Sequence, residues 1–148
     1  GMLVPSSNLQ DARLFLNALQ HSISSSSSDD NDQQTSWHKH MPIQTTVGVH
    51  PYDVLKQECN VESLQEMRDI ITLGGSRVAA VGECGLDYSE GFPSSSDQRP
   101  WFEAQVKLAV ELNQKLFLHE RLAFDDTTHI LDSSGILPSN VIVHCFTG

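Results

Sequence analysis

The sequence is poor in positive charge: 9 lysines and arginines stand against 19 aspartates and glutamates, a formal net charge of −10. Binding to a nucleic-acid backbone by counterion release needs cationic side chains over the phosphates. A purely electrostatic grip on long duplexes is therefore excluded, although bound divalent cations would reverse the sign locally in one cleft. Cysteine is scarce and odd in number. Cys59, Cys84 and Cys145 lack the paired spacing of a zinc finger, which excludes a disulfide framework and reads as free thiols in a reducing compartment. Cys84 and Cys145 are expected to be small buried residues. No apolar stretch approaches the roughly 20 residues of a membrane-spanning helix, and no basic-plus-apolar leader opens the chain. A soluble, non-secreted protein of the cytoplasm or nucleus, without a membrane partner, is the expectation. There is no internal repeat, which excludes a solenoid.

What is present is a series of short apolar runs that end in one kind of polar group. Thr45 to Val49 ends at His50, and Arg77 to Val81 passes through Gly82 to Glu83. Leu116 to Leu118 ends at His119, and Val141 to Val143 at His144. Met2 to Pro5 reads as the end of a further strand. Helical patterns separate these runs. Leu9, Ala12, Leu16 and Leu19 form one apolar face, and Val61, Leu64, Met67 and Ile71 form another behind a capping Asn60. Trp101, Gln105, Leu108 and Leu112 follow an N-cap at Asp97, with Pro100 in the first turn, and Ile130 and Leu131 follow Asp125 or Asp126. Alternating strand and helix implies an α/β fold with parallel strands joined by right-handed crossovers. In a closed (β/α) barrel all strand tips open on one face, where active sites sit. Residues 24–36 contain no apolar side chain and read as a solvated, low-complexity Ser/Asp-rich loop. His38 and His40 form a His-x-His pattern, but they precede a strand where a barrel places ligands after one, so they read as loop residues.

Four strand ends thus carry His50, Glu83, His119 and His144. Imidazole and carboxylate are borderline donors suited to Zn²⁺, Mn²⁺ or Fe²⁺, and a carboxylate-dominated site suits Mg²⁺. Glu83, His119 and His144 are the expected metal ligands. Glu83 becomes the catalytic residue if it bridges two divalent ions, which would clamp the attacking and leaving oxygens of a phosphodiester. His50 is divided between contact with a substrate phosphate, an orienting role and a structural one. Arg121, just past His119, can form bidentate bonds to a phosphate or a salt bridge to a nearby acid. Asp87 either orients a ligand or caps its loop.

Gly48-Val49-His50-Pro51, Gly82-Glu83-Cys84-Gly85-Leu86-Asp87-Tyr88, Leu118-His119-Glu120-Arg121 and Val143-His144-Cys145-Phe146-Thr147-Gly148 occur together and in order. In these motifs, and in Gln98 with the segment Trp101 to Gln105, the chain closely resembles the TatD-type metal-dependent deoxyribonucleases, which are amidohydrolase-like barrels. The resemblance implies a TIM-like (β/α) barrel, two divalent metal ions (Mg²⁺, Mn²⁺ or Zn²⁺) and hydrolysis of DNA phosphodiesters, often as a 3'-5' exonuclease. It makes Glu83 the bridging carboxylate and His119 and His144 imidazole ligands. The family's first-strand His-x-His and last-strand Asp have no counterparts here. Residues 1–148 are accordingly expected to form one partial barrel domain, from about the second to the sixth strand, with another chain as a conceivable source of the rest. A complete barrel typically takes roughly 250 residues. Two other readings stay open: an amidohydrolase-like barrel acting on a small ester, lactone or amide, and a catalytically inactive fragment or interaction protein.

Overall fold

Short apolar runs and helical 3.6-residue patterns alternate along the chain, and the elements follow them. A computed structural model describes residues 1–24 and 42–147. Ser24, expected to open the Ser/Asp-rich loop, is instead the last residue of the first helix; the rest of that loop, and His38 and His40, lie outside the described residues. Among those described, β1 (Met2–Val4) leads to α1 (Leu9–Ser24), β2 (Ile43–Val47) to α2 (Val61–Gly74), and β3 (Val78–Asp87) to α3 (Ser95–Glu111). β4 (Leu116–Arg121), α4 (Phe124–Ser134) and β5 (Val141–His144) complete the series. A 3-10 turn at Pro51–Lys56 follows β2. The strands lie side by side in chain order, and every neighbouring pair is parallel. All strand tips therefore share one face. No helix among the described residues is long and apolar enough to cross a membrane.

Local chemistry sets the helix starts. The Asn8 side chain accepts the Asp11 N–H at 2.9 Å, and that of Asn60 accepts the Ser63 N–H at 2.9 Å. α3 begins earlier than an N-cap at Asp97 would place it. Ser94 occupies the N-cap position and its carbonyl accepts the Asp97 and Gln98 N–H groups. Asp97 sits inside the first turn, its carboxylate bonded to Ser94 Oγ at 2.5 Å, a favourable place for an anion near a helix N-terminus. Pro100 consequently lies beyond the first turn, where it has no N–H to offer the Ser96 carbonyl four residues back.

The core lies between one face of the sheet and the helices. Val47, Val49, Val81, Cys84, Leu86, Leu116 and Leu118 pack with Trp101, Phe102, Val106 and Ala109 of α3 and Met67, Ile70 and Ile71 of α2. Each large apolar side chain buried this way contributes about 1.5–3 kcal/mol. Val61 does not join this stripe and is 78% exposed. It is the first residue of α2, and because helical side chains lean toward the N-terminus it overhangs the packed surface.

The spacing of the apolar run predicts that β3 ends at Val81, but the strand continues to Asp87. Gly82 pairs with Phe117 and Cys84 with Leu118, which leaves Glu83 as the extra residue of a β-bulge. The glycines that look like a strand stop permit close contact with β4. Gly82 and Gly85 have φ values of 134° and 145°, and a Cβ on either would run into the Phe117 or His119 carbonyl oxygen respectively. Cys84 is buried as expected, whereas Cys145, beyond the tip of β5, is exposed.

Candidate metal centre

Glu83 enters the site from the bulge in β3, His119 from β4 in register with Gly85, and His50 from the first residues past β2. The Glu83 carboxylate lies 3.0 Å from His119 Nδ1 and 3.6 Å from His50 Nε2, and the two imidazoles approach to 3.3 Å. Donor atoms of His50, Glu83 and His119 all fall within 4.8 Å of one another. This convergence of one carboxylate oxygen and two imidazole nitrogens fits a borderline divalent cation. His144, paired in register with His119, stands further out with Nε2 3.8 Å from Glu83 Oε1. The structure thus brings His50 into the tightest group and holds His144 at its margin, where Phe117 stacks against the ring at 5.3 Å.

The other nitrogen of His119, Nε2, meets Asp87 Oδ2 at 2.8 Å. A carboxylate in that position fixes both the orientation and the tautomer of a ligating imidazole. Asp87 is itself held by the Ser89 N–H at 2.9 Å. His50 Nδ1 accepts the Tyr52 N–H at 3.1 Å, which leaves Nε2 directed at Glu83. Arg121 is exposed and paired in register with Asp87. Strand alternation sets it on the same side of β4 as His119. Its neighbour Glu120 points the other way and is buried. Glu120 Oε1 accepts the Ala123 N–H at 2.9 Å, and Oε2 has no partner among the described residues.

Two glutamines of α3 clamp the strand ends. Gln105 accepts the Val49 N–H at 2.7 Å and donates to the Val49 carbonyl at 3.1 Å, fixing the residue before His50. Gln98 treats Asp87 in the same way, at 2.8 Å and 2.7 Å. Both are fully buried. The signal for this role is visible in the sequence as two amides seven residues apart on the apolar face of one helix, although their targets are set only by the tertiary packing.

Electrostatics follow the same geometry. Burial lowers the His50 pKa below the usual value, aided by His119 and opposed by Glu83. Burial acts the same way on His119, but its bonds to Glu83 and Asp87 outweigh it and raise that pKa. Glu83 is pushed up by burial, yet the His119 bond and the charges of His50 and His144 hold it below the ordinary carboxylate range. Asp87 is likewise lowered, against its burial, by bonds from Ser89 and His119. Carboxylates that are ionised beside imidazoles form a preorganised anionic cup.

Residues 10–148 match the family model described as TatD related DNase. The chain belongs to this TatD family. It is 38% identical over 104 residues to the 3'-5' ssDNA/RNA exonuclease TatD of Cronobacter sakazakii, and 34% identical over 105 residues to that of Escherichia coli K12. Each alignment covers 70% of this chain and 38% of the relative, so the chain spans well under half the length of these curated relatives. The crystal structure of YJJV, a TatD homologue from E. coli K12, superposes with a TM-score of 0.73 at 25% identity, covering 99% of this chain and 48% of that one. A TatD-family hydrolase from Entamoeba histolytica shares the fold with a TM-score of 0.72 at 24% identity, covering 99% and 44%. The five parallel strands are thus a half-barrel of the TatD type.

Proposed function

We propose that residues 1–148 form one domain, a section of a TatD-type barrel, whose site serves metal-dependent hydrolysis of DNA phosphodiester bonds, acting from the 3' end of a single strand. The observation that carries this reading is the convergence of His50, Glu83 and His119 within 4.8 Å, in a chain whose family is named for DNA hydrolysis. Glu83, His119 and His144 would hold two divalent ions, Mg²⁺, Mn²⁺ or Zn²⁺, with His50 beside them. When bound, such ions supply Lewis-acid activation of water and of a phosphoryl oxygen.

The chain's own residues do the rest. Glu83 supplies the shared negative charge that concentrates cations in an otherwise carboxylate-and-imidazole cup. Asp87 fixes the His119 ring through the 2.8 Å bond to Nε2. Gln105 sets the backbone from which His50 projects. Arg121 projects past His119, where its planar guanidinium would pair bidentately with a substrate phosphate. Further strands, from elsewhere in the protein or from another chain, would complete the barrel.

The test is hydrolysis of a 5'-labelled single-stranded oligonucleotide in Mg²⁺ or Mn²⁺, comparing this chain with Glu83→Ala. The expected result is a ladder of shortened products with the parent chain and none with the variant. If a second chain supplies strands, specific activity will also rise with protein concentration. Equal cleavage by both proteins, or none by the folded parent chain together with the strands that complete its barrel, would overturn the reading.

A further inference from the structure

Aromatic residues make up only 7% of the sequence, yet each segment leaving a strand tip in the site carries at least one. Tyr52 follows β2, Phe92 follows β3, Phe124 follows β4 and Phe146 follows β5. They form two edge-to-face pairs. Tyr52 and Phe92 have ring centroids 5.5 Å apart at 76°, and Phe124 and Phe146 lie 6.2 Å apart at 72°. The first pair abuts the metal group directly, since the Phe92 ring centroid lies 6.5 Å from that of His119, with the rings inclined by 25°, and 6.2 Å from that of His50. The second stands on the segments that follow β4 and β5, which carry His119 and His144. Tyr52 and Phe124 are 58% and 51% exposed. A cleft of about 540 Å³ opens beside Phe124 between Leu122 and Tyr88.

Large exposed rings on the rim of a polar site suit a ligand with flat apolar faces, and the strongly acidic chain offers no basic track to hold a phosphate backbone. Nucleobases satisfy both conditions, because every base has a π-face and stacking on aromatic side chains is tolerant of sequence. From these placements we infer that the Tyr52–Phe92 and Phe124–Phe146 pairs are stacking platforms for bases of a single strand, one on either side of the metal group. This inference rests on the nuclease reading and deepens it. The strand is gripped by its bases, so that the phosphate between two stacked positions is presented to His50, Glu83 and His119. A duplex, whose bases are already stacked on each other, cannot use such platforms without being opened.

Fluorescence anisotropy with a short labelled oligothymidylate bearing cleavage-resistant phosphorothioate linkages, in Mn²⁺, tests this against an abasic strand of the same length and charge. The parent chain should bind the base-bearing strand roughly ten-fold more tightly than the abasic one. Phe124→Ala and Tyr52→Ala should each shrink that ratio, and Phe124→Trp should preserve it. Because both Phe124 and Tyr52 are largely exposed, these substitutions leave the core intact, which circular dichroism would verify. Equal affinity for the two strands, or an unchanged ratio in both alanine variants while the parent chain still degrades an ordinary oligonucleotide, would overturn the platforms and leave the nuclease reading standing. No binding of either strand together with no metal-dependent degradation would overturn both.

Discussion

Glu83 reaches the site because the backbone around it departs from a regular strand, and the two glycines beside it make that departure possible. Gly85 lies against the His119 carbonyl with a φ of 145°, so a methyl group there meets backbone that cannot yield. Gly85→Ala should lower stability by about 2–3 kcal/mol, seen as a reduced midpoint in urea unfolding at unchanged slope. Asp53 provides a pH-dependent counterpart. Burial disfavours its carboxylate, but bonds from Lys56 Nζ at 2.8 Å and Asn8 Nδ2 at 2.9 Å prevail and lower its pKa. A folded-state pKa below the unfolded value means stabilisation that is present above the unfolded pKa of roughly 4 and lost as pH falls through the folded one. Asp53→Asn should therefore unfold at lower urea than the parent at neutral pH, with the gap closing in acid. A gap that widens in acid would contradict this assignment.

At the scale of elements, α3 is the organising helix. It closes the core with Trp101, Phe102 and Val106 and uses Gln98 and Gln105 to hold two strand ends by their backbones. Gln105→Leu keeps the volume but strands the buried Val49 N–H and carbonyl, at a cost of about 2–4 kcal/mol. If the clamp also positions His50, the variant's affinity for Mn²⁺ should fall even where it remains folded. An unchanged affinity would confine Gln105 to a structural role. Much of this architecture is legible from sequence, because apolar runs and caps are local signals. Asn60 caps α2, and Glu83 and His119 each close an apolar run. What escapes is non-local. Gly82 reads as a terminator because the bulge that absorbs Glu83 exists only in pairing with β4. The start of α3 shifts because Asp97 finds Ser94 as a partner. His50 meets His119 across the intervening β3, through registers that no local pattern encodes.

At the scale of the whole molecule, an acidic chain with a net charge of −10 places imidazoles and carboxylates on one face of a parallel half-barrel. Cations are the natural ligand of such a face, and imidazole donors must shed protons to accept them, so affinity should decline as pH falls. Titration calorimetry with Mn²⁺ at neutral pH, on this chain and on Glu83→Gln, tests the central claim most directly. The account predicts saturable binding by the parent chain and a loss of at least about ten-fold in the variant, with matching circular dichroism spectra. Equal binding by both proteins would contradict it, as would a folded parent chain that takes up no ion.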